Sequence, residues 1–172
     1  MSAPYHQLTV SPPNLPRRLI RRLAISRPGA WLFSHTLHHI DRLTLRLSGG
    51  RTTAAAVLGG LPIITLTTTG AKSGQPRSVP LIAIPDGEHI VLVASNWGGS
   101  RHPAWYYNLR AHPEVTVGVD GRTHSYTARQ LEGDERERAW QTAVATYAGY
   151  PVYVRRAGNR QIPVMLLTPQ ES

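Results

Sequence analysis

Two cations, Lys72 and Arg77, flank a glycine-containing turn that could hold an anionic ligand. A β-branched stretch ending at Thr69 predicts a strand before Gly70, and Gly74 closes the loop before a second predicted strand. Glycines allow backbone N–H groups to point toward one place, where the two side chains add positive charge. The segment therefore predicts a phosphate or carboxylate site. An ordinary basic hairpin turn is the alternative that fits the same spacing.

A second segment after a predicted strand could complete this site. Ser95 and Asn96 are joined to Arg101 through glycines, so hydroxyl, amide and guanidinium groups follow the strand end. Pro103 then fits the first position of a helix, whose N-terminal N–H groups can also meet an anion. Glycine-rich loops between a strand and a helix are often only structural, and the residues alone leave that alternative open.

Three tyrosines, Tyr147, Tyr150 and Tyr153, recur at three-residue spacing and could line a substrate pocket from one face. Gly149 and Pro151 argue against a regular helix there, because proline lacks a backbone donor and glycine is flexible. Tyrosines also pack in protein cores and form hydrogen bonds through their hydroxyls. The residues leave both interpretations open.

Hydrophobic periodicity predicts a mainly β fold with flanking helices. The predicted strands are 62–69, 78–85, 89–95, 115–119, 123–130 and 161–168, and the predicted helices are 103–111 and about 134–147. Asp86-Gly87 and Asp120-Gly121 are typical of tight hairpin turns. Six short strands with turns between them predict a small antiparallel barrel.

Composition is typical of a single-domain globular protein. The chain has 172 residues, 41% hydrophobic and 17% charged, and it has no cysteine, which excludes disulfides and thiolate metal sites. His35, His38 and His39 have helical spacing, but no carboxylate pattern accompanies them, so no metal site is predicted. No apolar run approaches the ~20 residues of a membrane span, and no secretory signal is recognised. We predict a cytoplasmic protein.

The net charge of +9 is concentrated near the N-terminus, where residues 1–51 carry eight arginines and one acid. Residues 1–14 are expected to form a flexible tail, and residues 15–50 a basic amphipathic helical arm. Residues 15–47 could contact an anionic membrane surface on the inner face of the cell membrane. A helix packed on the barrel is the alternative. Nucleic-acid binding is not predicted, because no motif for it is found.

Three segments in order, TTTGAKSGQPRSVPL, VLVASNWGGSRHPAWYYNLRAHPEV and RQIPVMLLTP, closely resemble the deazaflavin-dependent nitroreductase and quinone-reductase family. The resemblance covers about residues 60–169. It implies a six-stranded antiparallel split β-barrel of the FMN-binding type, as in small actinobacterial proteins that use reduced coenzyme F(420). FMN, the usual ligand of related split barrels, is the alternative cofactor.

The resemblance also implies which residues bind the coenzyme. In the family, the equivalents of Lys72, Arg77 and Ser95 lie along the phosphate and oligoglutamate tail of the coenzyme. The backbone near Pro80, Ala94 and Ser95 borders the deazaflavin ring. The expected cofactor-binding residues are Lys72, Ser73, Arg77, Pro80, Ala94, Ser95, Asn96 and Arg101. Ala71 and Asn96 stand where members of the family carry a cation, and Arg101 could compensate for that charge.

The substrate side is implied in the same way. The matching tyrosines of the family line the pocket above the deazaflavin and can offer a proton to the product. The expected substrate-binding residues are Tyr147, Tyr150, Tyr153 and Trp105. The implied reaction is hydride transfer to a quinone, an enone or a nitro compound. Tyr150 is the first candidate for the acid that protonates the product, with Tyr147 and solvent as alternatives.

Two other functions fit the sequence. The chain could be an FMN-binding flavoprotein of the same fold, or a non-catalytic protein that binds the coenzyme or a membrane surface. Monomer and homodimer are both compatible with the sequence.

Overall fold

The structure is a computed structural model that describes residues 60–119 and 121–170, together with Ser26 and Pro28. The predicted tail and nearly all of the predicted helical arm lie outside the described residues. In the described ranges the elements are β1 (Ile63–Thr69), β2 (Pro76–Ile82), β3 (Ile84–Asp86), β4 (His89–Val93), α1 (Ala104–Ala111), β5 (Glu114–Val119), β6 (Arg122–Gln130), α2 (Gly133–Thr146), α3 (Tyr150–Ala157) and β7 (Val164–Pro169). A short 3-10 turn at Asn96–Gly98 lies between β4 and α1.

The seven strands of the described ranges form one antiparallel sheet in the order β2-β1-β5-β6-β7-β4-β3. Its edge strands, β2 and β3, are consecutive in the chain and are separated only by Ala83. The sheet must therefore curl until its edges approach each other, and β2 contacts β4 accordingly. A mainly β, curled antiparallel sheet with helices agrees with the predicted fold class in outline.

The predicted count of six strands is wrong, because the strand expected over 78–85 is two separate strands. The ladder breaks at Ala83, which is fully buried and whose N–H donates to the carbonyl of Pro62 at 2.9 Å. β2 pairs with β1, whereas β3 pairs with β4. The apolar run across this break carries no turn residue that would reveal it in the sequence.

The hairpin predicted at Asp86-Gly87 is confirmed. Gly87 has a φ of 62° between β3 and β4, and Gly121 has a φ of 78° between β5 and β6. Positive φ at these positions favours glycine, which has no Cβ to clash with the backbone. Asp120 lies outside the described residues, so only the glycine of the second predicted turn is observed.

Alternation along β4 divides the core between two faces of the sheet. Ile90 and Leu92 pack in a cluster that includes residues of α1, whereas Val91 and Val93 pack with residues of α2 and α3. Successive side chains of a strand point to opposite faces, so the two clusters are separated by the sheet. Helix α1 therefore lies on the opposite face from α2 and α3.

The predicted helices 103–111 and 134–147 are confirmed as α1 and α2, but the expectation for the tyrosine segment is wrong. Residues Tyr150–Ala157 form a regular helix, α3, despite Gly149 and Pro151. Gly149 is its N-cap, and Pro151 lies in its first turn. Proline is tolerated there because the first N–H groups of a helix have no intrahelical partner.

Helix α3 packs against the 3-10 turn so closely that Gly98 has no room for a side chain. A Cβ on Gly98 would lie 2.7 Å from the Cβ of Arg156 and 2.8 Å from the carbonyl oxygen of Tyr153. We expect Gly98→Ala to lower the free energy of unfolding by about 2–4 kcal/mol, because overpacking adds to the strain of a positive φ. Urea unfolding measures this loss.

The control for that substitution is Gly87→Ala, at a hairpin glycine that also has a positive φ of 62°. In the described part of the chain, no atom lies within 4 Å of a Cβ built on Gly87. Gly87→Ala should therefore lower the free energy of unfolding only by the cost of the positive φ, about 1–2 kcal/mol. Equal losses for the two variants would contradict the packing explanation.

Candidate functional site

The first loop, residues 70–75 between β1 and β2, closes on itself through backbone hydrogen bonds. The N–H of Gly70 donates to the carbonyl of Gln75 at 2.9 Å, and that of Gly74 donates to the carbonyl of Gly70 at 2.8 Å. A Cβ on Gly70 would lie 2.5 Å from the Oγ of Ser73, and Gly74 has a φ of 65°. Both glycines are therefore explained by the tightness of the turn.

Most N–H groups of the first loop are bonded inside the protein, which differs from the backbone cradle expected from the sequence. The N–H of Gln75 donates to the Oγ of Ser73 at 3.3 Å, and that of Ala71 to the Oδ1 of Asn108 at 3.0 Å. In the described part of the chain, only Lys72 and Ser73 of this loop keep N–H groups without a partner. Anion binding here must depend mainly on side chains.

The side chains available for that purpose are Lys72 and Arg77, which are both exposed. Neither forms an ion pair with a carboxylate among the described residues. Among the described residues, an ion pair joins Arg129 at the end of β6 to Glu135 at the start of α2, away from Lys72 and Arg77 in sequence. Exposed, unpaired cations next to a fixed turn can bind phosphate or carboxylate oxygens through charge-assisted hydrogen bonds.

A buried amide, Asn108, fixes the first loop to helix α1. Its Nδ2 donates to the Oγ1 of Thr68 at 2.9 Å, and that hydroxyl donates to the carbonyl of Arg77 at 3.3 Å. Its Oδ1 accepts the N–H of Ala71, so the amide is linked to both ends of the loop. Thr68 and Asn108 are buried, and an unpaired polar group in either place would cost about 1–3 kcal/mol.

The second loop, residues 94–103 between β4 and α1, contains the 3-10 turn. Asn96, Trp97 and Gly98 have φ angles of 47°, 57° and 78°, a conformation that is strained for a bulky residue such as tryptophan. The Nδ2 of Asn96 donates to the carbonyl of Arg101 at 2.9 Å. The ring of Trp97 packs edge-on against Tyr153, with 5.9 Å between ring centroids. The second loop is therefore tied to helix α3.

The curl of the sheet relates the two loops. β3 pairs with β4 so that Ile84 lies opposite Val91. Before Ile84 the chain continues back through Ala83 into β2, the strand that follows the first loop, and β2 contacts β4, the strand that precedes the second loop. Helix α1 begins just after the second loop, and Asn108, which holds the first loop, is about 6 Å along it.

Arg160, to which the sequence assigned no role, binds the backbone of the second loop. Its guanidinium donates to the carbonyls of Gly99 at 2.9 Å, Ser95 at 2.6 Å and Ala94 at 3.3 Å. One of its nitrogens, Nη1, also lies 3.0 Å from the Nδ1 of His102. The sequence signal for Arg160 was only its place at the start of the segment RQIPVMLLTP.

The three predicted substrate tyrosines lie together on the face of the sheet that carries α2 and α3. They are 3–5% exposed, and the hydroxyl oxygens of Tyr147 and Tyr153 are 2.9 Å apart. The rings of Tyr147 and Tyr150 meet edge-on, with 5.3 Å between centroids. Burial raises the pKa of Tyr150 and of Tyr153, and the neighbouring Tyr147 adds to both shifts, so both remain neutral phenols near neutral pH.

Trp105 does not join the tyrosines. Its ring is 7% exposed and belongs to the core cluster on the opposite face of the sheet, with Tyr106 and Leu109 of the same helix. Contact between Trp105 and a substrate therefore stays a prediction.

Two further findings concern membranes and metals. None of the helices in the described ranges has the length and apolar character that a membrane span requires. The same ranges contain no cluster of three or more His, Asp or Glu side chains that could hold a metal ion. His35, His38 and His39 lie outside the described residues.

Comparison with known proteins gives a family match over most of the chain. The family model described as F420H(2)-dependent quinone reductase matches residues 38–169. An F420H(2)-dependent quinone reductase from Mycobacterium tuberculosis is 36% identical over 112 residues, which are 64% of this chain and 75% of that protein. Three-quarters of the relative is therefore represented here.

Solved structures give the same result for the fold. A structure described as an F420-H2 dependent reductase, FDR-A, is 43% identical, with a TM-score of 0.57 over 62% of this chain and 93% of that one. Another, described as a domain-swapped dimer, is 37% identical, with a TM-score of 0.60 over 81% of this chain and 98% of that one. Both similarities combine sequence and fold.

The contact between His102 and Arg160 should make stability depend on pH. Burial and, second, the Arg160 guanidinium lower the pKa of His102 from its ordinary value of 6.5. The unfolded chain then binds a proton more readily, so the free energy of unfolding should fall as the pH falls through the range just below 6.5. Urea unfolding at pH values of about 7.5 and 5.5 measures this change.

Substitution of His102 measures how much of the pH dependence of the free energy of unfolding comes from its imidazole. His102→Asn keeps an acceptor for Arg160 but cannot titrate, so it should weaken the pH dependence. The other groups that face the imidazole are the rings of Tyr106 and Tyr107, at centroid distances of 4.8 and 5.9 Å. His112→Asn, at an exposed histidine just after α1, is the matched control. An unchanged pH dependence in His102→Asn would contradict the assignment.

Proposed function

Because the chain belongs to the F420H(2)-dependent quinone reductase family, we propose that its first loop binds the phosphate and oligoglutamate tail of coenzyme F(420). The chain is an oxidoreductase, and this deazaflavin is its coenzyme. The observation that carries the assignment of the loop is the exposed pair Lys72 and Arg77 on a turn fixed by Asn108. A polyanionic tail suits such a pair, because cations form strong hydrogen bonds with phosphate and carboxylate.

The second loop would form the wall along the deazaflavin ring. The carbonyls of Ala94 and Ser95 are bound by Arg160, which fixes the backbone at the point where the ring is proposed to lie. The hydroxyl of Ser95 has no partner in the described part of the chain and is therefore available to the coenzyme. Pro80 would border the ring from β2, a strand that contacts β4.

The other residues expected to bind the coenzyme differ in the hydrogen-bond donors and the charge that they have available. Ser73 accepts the N–H of Gln75, and its hydroxyl hydrogen is still free to donate to an anion. One amide hydrogen of Asn96 is used by the carbonyl of Arg101, so this residue would contribute less than a lysine in the same place. Arg101 is exposed and forms no ion pair among the described residues, so it can supply charge that Ala71 lacks.

When bound in its reduced form, the deazaflavin supplies the hydride, and the chain's own residues orient the acceptor and exclude water. We assign the acceptor side to Tyr147, Tyr150 and Tyr153. Burial raises the pKa of Tyr150, and a phenol of raised pKa suits hydrogen-bond donation to a developing oxyanion better than full proton release. The hydroxyl of Tyr147 is already paired with that of Tyr153. Solvent would then complete the protonation.

The acceptor class that we propose is a quinone, for which the family is named. Nitro compounds and enones are the alternatives, since all three combine an electron-poor centre with an oxygen that gains charge on reduction. Steady-state rates with one member of each class, at a saturating level of the reduced coenzyme, would rank them. A quinone slower than both others would overturn this choice.

The curled sheet would be a split β-barrel of the FMN-binding type. Its two edges are joined through the single residue Ala83, and β2 contacts β4, which supports near closure. An experimental structure in which these edges stay apart would exclude the barrel.

The proposed site at the first loop can be tested by neutralising two cations one at a time: Lys72 in the loop and Arg77 just after it in β2. Lys72→Gln and Arg77→Gln should each weaken coenzyme binding by about tenfold, because a charge-assisted hydrogen bond contributes roughly 1.5–3 kcal/mol and solvent exposure reduces that value. The dissociation constant is measured by fluorescence titration of the purified protein with coenzyme F(420) and, in parallel, with FMN.

Arg122→Gln is the matched control for these variants. Thr67 of β1 pairs with Thr116 of β5, and Thr65 pairs with Gly118, so Arg122 at the far end of the β5–β6 hairpin lies away from the first loop. This control removes the same charge and should leave the affinity unchanged. Equal weakening by all three variants would show a general effect of net charge and not a site at the first loop.

The tyrosine assignment predicts a separation of binding from turnover. Tyr150→Phe should lower kcat with a quinone by about 10- to 100-fold, because it removes the proposed hydrogen bond to the developing oxyanion, while the coenzyme affinity stays unchanged. Tyr126→Phe removes a hydroxyl that is equally buried but lies in the core on the opposite face, and it should leave kcat unchanged. Wild-type turnover in Tyr150→Phe would contradict the proposed hydrogen bond from Tyr150 to the developing oxyanion.

The membrane contact of the arm is a separate proposal, because residues 15–47 lie almost wholly outside the described residues. It is supported by the charge of residues 1–51, which hold eight arginines and one acid. Full-length protein should sediment with vesicles of anionic phosphatidylglycerol and not with neutral phosphatidylcholine, and added salt should release it. Equal recovery with both vesicle types would remove the electrostatic basis of the proposal.

The oligomeric state has one point of support. The relative described as a domain-swapped dimer favours a homodimer over a monomer for this chain. Light scattering of the purified protein at several concentrations separates the two states.

A further inference from the structure

Arg160 lies in the connection between helix α3 and strand β7, just beyond the helix that carries Tyr150 and Tyr153. Its backbone N–H donates to the carbonyl of Ala157 at 3.1 Å, which continues the end of the helix. Its side chain is partly buried and forms no ion pair among the described residues. Partial burial lowers the pKa of this arginine, so placing the charge here has a cost.

The partners of the guanidinium are all in the second loop. Its nitrogens donate to the carbonyls of Ala94, Ser95 and Gly99, and one of them also contacts the Nδ1 of His102. These groups are far from Arg160 in sequence but belong to one continuous stretch between β4 and α1. One side chain therefore fixes the start, the middle and the end of that stretch.

The second loop needs such support because its conformation is strained. Positive φ angles at Asn96 and Trp97, of 47° and 57°, cost on the order of 1–3 kcal/mol each and persist only where the surroundings hold them. The bond from Asn96 to the carbonyl of Arg101 is internal to the loop and cannot fix its position relative to the sheet. The guanidinium of Arg160 supplies an external contact on both sides of the strained residues.

We infer that Arg160 is a positioning residue for the coenzyme, which holds the second loop in the conformation that accepts the deazaflavin. This inference rests on the proposed function, because it takes the second loop as the wall along the ring. Arg160 acts through the loop backbone and contacts neither the hydride nor the acceptor. Arg160 lies three residues beyond the end of the helix that carries Tyr150 and Tyr153, so it connects the second loop to the segment that follows the tyrosines.

The geometry requires arginine and not only a positive charge. Three nitrogens of a planar guanidinium reach three carbonyls at 2.6–3.3 Å, and a lysine ammonium cannot reproduce that fork. Arg160→Lys should therefore behave nearly like Arg160→Gln. The matched control is Arg155→Gln, which removes the same charge from an exposed position on helix α3.

The test combines coenzyme affinity with hydrogen exchange of the free protein. Fluorescence titration with coenzyme F(420) should give a dissociation constant raised about 10- to 100-fold in both Arg160 variants, and unchanged in Arg155→Gln. Amides of residues 94–102 should lose protection from exchange in the Arg160 variants, while amides of the β5–β6 hairpin keep it. The KM for the quinone, measured at saturating coenzyme, should stay within about twofold.

Different results would overturn the positioning role of Arg160 and the proposed binding of the coenzyme. Wild-type affinity in Arg160→Gln, or equal loss of protection in the second loop and in the β5–β6 hairpin, would overturn the positioning role. Full recovery of affinity in Arg160→Lys would also overturn it, because charge alone would then suffice. Absence of coenzyme binding in the wild-type protein would instead refute the proposed function, and with it the meaning given to the second loop.

Discussion

A single residue, Ala83, connects the two strands that form opposite edges of the sheet, and the rest of the structure depends on the curl that this connection requires. Strands β2 and β3 cannot be consecutive and also lie at the two edges unless the sheet bends back on itself. That bend brings β2, the strand that carries Arg77, into contact with β4, the strand that precedes Ser95. A flat sheet of the same strand order would keep the two loops apart, and the candidate coenzyme site would not exist.

Two polar side chains then fix the first and the second loop, one side chain for each loop. Asn108, which is buried, joins helix α1 to both ends of the first loop, and Arg160, which is partly buried, joins the connection after helix α3 to the second loop. Both form hydrogen bonds with backbone groups of the loops, which fixes the position of that backbone. Among the described residues, the exposed cations Lys72, Arg77 and Arg101 form no ion pair. Polar side chains that are buried or partly buried therefore hold the loops, while these cations remain at the surface.

The sequence predicted most elements because their signals are local. Period-two alternation locates the strands, Asp86-Gly87 locates a hairpin, and the motifs of the two loops indicate the family. The break at Ala83 was missed, since it is the point where the pairing partner changes from β1 to β4, which follows from the three-dimensional arrangement and not from residue type. The same holds for the internal use of the loop N–H groups and for Arg160, whose partners lie about sixty residues earlier in the chain.

If the first loop recognises the anionic part of the coenzyme, affinity must depend on the phosphate and the tail, and a titration measures this dependence. The wild-type protein is titrated with coenzyme F(420) and with a deazaflavin that has the same ring but no phosphate and no tail, at low and at high salt. We expect the complete coenzyme to bind roughly 10- to 100-fold more tightly at low salt, and we expect high salt to reduce this advantage. Equal affinity for the two compounds, independent of salt, would contradict it.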